Sequence, residues 1–164
     1  GSFNEDMSEG ILCLQDYHRQ NENGFIRISD ILKYANESKI RNKIIILDSC
    51  HSGAAGEDRN AKANTSTIGD GVTILTACNK KEGAMENPMD QHGLFTGLLL
   101  EGLTGGASNI LGQVTPGSLY SFIDNALNVW EQRPVFKTNV SKFISLRQNN
   151  PLVDPNILRK LPKW

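Results

Sequence analysis

Long hydrophobic runs are missing from this chain of 164 residues, and none approaches the roughly 20 apolar residues that a membrane-crossing helix needs. No charged-then-apolar signal segment opens it, so no membrane partner is expected. A charge excess is missing too: 17 basic against 18 acidic residues leave −1, which gives nucleic acid nothing to bind electrostatically. Cysteine is scarce. Cys13, Cys50 and Cys78 are odd in number and widely spaced, so a reducing, cytoplasmic setting is expected rather than a disulfide framework. No Cys and His residues share zinc-site spacing, no Gly-x-Ser-x-Gly elbow follows a strand, and there is no internal repeat or low-complexity tract.

What is present is a globular composition, 38% hydrophobic and 21% charged, in a length that one core can serve. One domain is expected over residues 1–147, followed by a tail at 148–164 whose Pro151, Pro155 and Pro162 mark a linker or the start of another module. The chain is organised around Lys43 to Gly53. Ile44 to Leu47 form a continuous apolar run of the kind a strand needs when both faces of its sheet are covered, and the run stops at Asp48. Cys50 then stands just past the strand, where open α/β sheets bind their ligands.

Before that stretch, Gly10 to Leu14 reads as a buried strand and Gln15 to Gly24 as a polar loop. Ser29 reads as the N-cap of a helix whose Ile31, Leu32 and Ala35 recur at helical spacing until Asn36-Glu37-Ser38. A helix between two strands predicts a right-handed crossover and a parallel pair. After it, Gly53 to Gly71 has almost no large apolar side chain and reads as a long mobile loop, and Val72 to Ala77 as the next central strand. An apolar helix is expected from Gly93, ended by Gly105-Gly106. Thr115-Pro116 starts another, with a stripe of Leu119, Phe122, Ile123, Ala126, Leu127 and Trp130. Val135-Phe136 reads as a short extended piece and Phe143 to Leu146 as a half-buried strand.

Asp48-Ser49-Cys50-His51-Ser52-Gly53 after an Ile-rich strand resembles the nucleophile segment of the caspase-like cysteine peptidases, above all the metacaspases and bacterial caspase homologues. The resemblance continues through Gly71 to Gly106 and Gln132 to Phe136 and fades after Arg147. It implies an α/β fold, a three-layer caspase-like sandwich with a mostly parallel central sheet and helices on both faces. It also implies a cysteine endopeptidase acting on a protein or peptide, with no organic cofactor. Bacterial relatives are often fused to sensor modules, so a regulatory domain outside this chain is an implied partner. Calcium dependence is left open, since no acidic cluster demands it.

A cysteine peptidase needs a thiolate, a histidine and backbone N–H donors for the oxyanion. Cys50 supplies the first; the alternative is a small buried thiol, the usual fate of a free cysteine. In the caspase pattern the histidine stands about 50 residues earlier, which falls immediately before Gly1. The family's histidine is followed by a glycine whose N–H joins that of the cysteine in the oxyanion hole; Gly1 is either that glycine or, with Ser2, a tag remnant. His18 is the substitute inside the chain, past the first strand and able to open at the same sheet edge as Cys50, although its spacing is too short and Arg19 follows it. His51 diverges from its neighbour, and His92 packs or caps.

Two readings stand for Asp48: a strand-end carboxylate that satisfies backbone donors, or a buried acid that selects Arg or Lys through a charge-assisted pair. The metacaspase aspartate at this place has the second role. Arg59 and Lys62 make the 53–71 loop either an activation cleavage site or a solvated surface, and Glu82 and Glu86 either line a basic pocket or face water. A pseudopeptidase that binds without cutting is the competing function, since the histidine lies outside the chain. A thiol phosphatase fits poorly, because Gly56 occupies the place of its arginine and Arg59 comes too late.

Overall fold

The computed structural model describes residues 2–4, 9–18, 24–49, 68–77, 93–127 and 133–160. They form a mixed α/β arrangement of small sheets and helices. The central sheet has the order β4-β5-β7, with β4 at Lys43–Leu47, β5 at Val72–Thr76 and β7 at Val135–Asn139. β5 is its middle strand and is buried along its whole length. Alternation sends successive side chains to opposite faces. Leu75 and Ala77 join one apolar cluster with Phe95, Leu119, Ile123 and Leu127, while Val72 and Ile74 join another with Ile28, Leu32 and Ile68. Helices therefore pack on both faces of β5. Thr73, the polar residue inside this strand, shares a hydrogen bond of 2.8 Å with Thr138 opposite it on β7.

A mostly parallel central sheet is not shown: β4 and β5 are parallel, and β5 and β7 are antiparallel. The reason lies in the connection. Among the described residues two α-helices intervene, α2 at Leu94–Glu101 and α3 at Pro116–Leu127. α2 begins beside the carboxyl end of β4, and β7 begins opposite Thr76, so the pair carries the chain away and returns it to the end it left. Gly102 opens a π-helical turn, Gly102–Gly106, and a side chain there would collide with Leu119 and Phe122 of α3. Thr115 and Ser118 cap α3 reciprocally: each backbone N–H donates to the other's hydroxyl, at 3.0 and 3.1 Å. Leu119, Ile123 and Leu127 are the buried stripe; Ala126 is exposed, contrary to expectation, and Trp130 lies outside the described residues.

The first strand read from sequence is β2, Glu9–Cys13, but it does not pair in parallel with Lys43–Leu47. It sits in a separate antiparallel sheet between β1 (Ser2–Asn4) and β3 (Phe25–Arg27). Phe25 and Ile26 are strand residues, paired with Cys13 and Leu12, and Leu14 N–H donates to Gly24 O at 2.8 Å to close the hairpin. Helix α1, Ile28–Glu37, follows β3 directly, so Arg27 and not Ser29 is its N-cap. Burial decides this start, because Ile28 and Leu32, one turn apart, both insert into the core.

Only the last four residues of the expected 53–71 loop are described. Residues 50–67 lie outside the described residues, but 68–71 are fixed. Ile68 is buried, Asn36 accepts Gly69 N–H at 2.9 Å, and Asn139 Nδ2 donates to Ile68 O and to Asp70 Oδ1. Gly71, with φ of 76°, approaches Arg41 O so closely that no side chain fits. Phe143 to Leu146 is not a strand either. Leu146 N–H donates to Val114 O at 2.7 Å, and the pairing falls to β6 (Gln113–Val114) and β8 (Arg147–Gln148), while Phe143 turns onto Phe136 with ring centroids 6.0 Å apart. Beyond β8, Asn149 Nδ2 donates to Leu103 O and Ser108 Oγ, and Asp154 caps α4, Pro155–Leu158.

Candidate active site

The parallel pair β4 and β5 ends in one place. Ala77 N–H donates to Leu47 O at 3.0 Å, so both strands finish level, and the next residues of β4 leave the sheet at its carboxyl edge. Asp48 is the first of them and Ser49 the second. Thr96 Oγ1, from the first turn of α2, donates a hydrogen bond to Asp48 Oδ2. Helix α2 itself is anchored by Phe95, 1% exposed in the cluster under β5, so the hydroxyl is delivered by a packed element. The arrangement fixes a carboxylate two residues before Cys50, at the mouth of the sheet.

Asp48 is exposed, not buried as the pocket reading required. A cation meeting it there is partly screened by water, and the pair would discriminate less steeply than a desolvated one. Cys50, Gly1, His51, Arg59, Lys62, Glu82, Glu86 and His92 all lie outside the described residues. His18 is described and exposed, and among the described residues the strand before it, β2, pairs with β1 and β3 and not with β4; the expected shared edge with Cys50 involves a residue outside the described ones. Cys13 is an exposed free thiol at the end of that same strand.

Sequence reasoning missed Thr96. A single hydroxyl inside Gly93-Leu-Phe-Thr-Gly-Leu-Leu-Leu was the available signal, since a polar residue in so apolar a helix needs a partner. Also missed was an open cleft of about 1280 Å³ at the opposite, amino end of the central sheet, between β4, the Asp70-Gly71 turn and residues 139–145. It is not the Asp48 site: the four steps from Lys43 to Leu47 alone put roughly 13 Å between them at about 3.3 Å per strand residue. Chemistry, not size, identifies Asp48's edge as the candidate active site.

Among the described residues no group of three or more His, Cys, Asp or Glu is placed to hold a metal ion, and no helix is long and apolar enough to cross a membrane. Comparison with protein-family models, with curated proteins and with solved structures finds no match.

Proposed function

We propose that this chain is a cysteine endopeptidase of the caspase-like kind, cleaving peptide bonds after Arg or Lys. One observation carries the reading: the Asp48 carboxylate, tied to Thr96, stands at the carboxyl end of the parallel β4–β5 pair two residues before Cys50. The Cys50 thiolate adds to the scissile carbonyl carbon. A histidine imidazolium protonates the departing amine, and water then hydrolyses the thioester to release the acid and restore the thiol. The N–H groups of Cys50 and Gly1 receive the oxyanion, and Asp48 takes the guanidinium or ammonium of the residue before the cut. The substrate is a protein or peptide, and none of these steps calls for an organic cofactor.

The same reading makes β4 and β5 part of a larger, mostly parallel sheet in a three-layer sandwich with helices on both faces. It also gives Arg59 and Lys62 a role, because a basic cleavage specificity matches the basic residues of the 53–71 loop and permits activation by cutting there.

The test is hydrolysis of fluorogenic peptides ending in Arg, Lys or Asp by this chain, by Cys50→Ala, and by a form lengthened with the residues that precede Gly1. Activity on Arg and Lys peptides that Cys50→Ala abolishes is the expected result. Activity on Asp peptides instead would remove the role of Asp48. If the lengthened form is folded and silent, a pseudopeptidase that binds without cutting becomes the better reading.

A further inference from the structure

The cleft at the amino end of the central sheet has a charge of its own. Among the described residues Arg41, Lys43 and Lys142 line it against a single acid, Asp70, in a protein whose total charge is −1, so the excess is local rather than general. Among the described residues none of the three cations is ion-paired. Lys43 Nζ lies 3.5 Å from Ser38 O, and Asp70 Oδ1 is already taken by Asn139. The cleft is also partly apolar, since Ile40 is 64% exposed, Phe143 37% and Ile144 38%. Its volume of about 1280 Å³ exceeds the roughly 300–1,000 Å³ of small-molecule pockets, and it is open rather than enclosed.

We propose that this cleft binds an acidic peptide segment, with carboxylates on Arg41, Lys43 and Lys142 and intervening apolar side chains on Ile40, Phe143 and Ile144. Charge complementarity selects the sign of the ligand. Size and the apolar wall select a peptide over a small phosphate-bearing molecule, which would leave Phe143 and Ile144 uncovered. The site does not depend on the peptidase reading. In a peptidase it would hold part of the substrate away from the scissile bond, at the opposite end of the sheet from Asp48.

Calorimetric titration of the whole chain with an unlabelled peptide of three Glu-Leu-Gly repeats, and with its Gln-Leu-Gly counterpart, tests the proposal. The Glu peptide should bind, the Gln peptide should bind about tenfold more weakly or not at all, and added salt should weaken the Glu peptide as expected for exposed charges. Arg41→Glu with Lys142→Glu should raise the Kd of the Glu peptide about tenfold or more, and Phe143→Ser should raise it several-fold. Arg41 and Lys142 are exposed, and an unchanged thermal midpoint shows that the reversals leave the fold intact. Lys33→Glu, on an exposed position of α1 outside the cleft, should leave the Kd unchanged. Equal binding of the Glu and Gln peptides would overturn the proposal. So would a loss at Lys33→Glu as large as at Arg41 and Lys142, or inorganic tripolyphosphate binding at the same residues while the peptide does not.

Discussion

Strands β4 and β5 lie side by side, each of five residues, and the more apolar of the two is the less buried. Lys-Ile-Ile-Ile-Leu of β4 is half-buried with Ile46 37% exposed, whereas Val-Thr-Ile-Leu-Thr of β5 is buried at every position, both threonines included. Position in the sheet accounts for the difference. β5 has strands on both sides and helices on both faces; β4, among the described residues, has a strand on one side only. An apolar run records what a strand is suited to be buried by, and the neighbours determine how much of that burial is reached.

The largest effects should separate the two strands. Ile74→Ala in β5 should cost about 3–4 kcal/mol, the transfer energy of a buried isoleucine plus a cavity that α1 and β4 cannot fill. Ile46→Ala in β4 should cost about 1 kcal/mol, since water already covers part of that side chain. Urea unfolding of both variants measures the difference, and equal costs would break the comparison. Next comes the clamp at the start of β5. Asn139→Ala removes the donor to Ile68 O and Asp70 Oδ1 and should cost about 2 kcal/mol, with faster hydrogen exchange at Gly71 and Val72, the amides nearest it.

How far the sequence could be read follows from how local each feature is. The runs Ile44–Leu47 and Val72–Thr76 and the stripe Leu119, Ile123, Leu127 are encoded within a few residues, and each formed where its pattern lies. The direction of β7 is not local, because it depends on two helices returning the chain to the end it left. Nor are the bonds of Asn36 to Gly69 and Asn139 to Ile68, which join residues 33 and 71 positions apart. β1 and β3, at three residues each, are too short for any alternation to show. At the candidate site, the Asp48-Ser49-Cys50 exit from the strand was legible as a motif, but its partner Thr96 comes from 48 residues away.

That partner gives a smaller, sharper prediction. Thr96→Val keeps the shape of the side chain and removes the hydroxyl that holds Asp48, so under the proposed function KM for Arg peptides should rise a few-fold, about 1 kcal/mol, with kcat nearly unchanged. Thr96→Ser should restore the wild-type KM. A fall in kcat with unchanged KM would mean that the bond supports the catalytic centre rather than the recognition of the basic residue.

The smallest effect on stability should come from Ile46→Lys, and it sharpens the comparison most. In β5 a buried lysine would be ruinous, since an unpaired charge cannot be desolvated cheaply. In β4 the exposed part of residue 46 lets the ammonium reach water while its methylenes cover the strand, so stability should change by only about 0.5 kcal/mol. The informative readout is association. A long apolar strand whose outer edge is unpaired among the described residues is a template for another chain, and a lysine there is the usual protection. Concentration-dependent sedimentation should therefore show less self-association for Ile46→Lys than for the wild type. If the variant unfolds instead, β4 is covered along its outer edge in the folded protein and is as much an inner strand as β5.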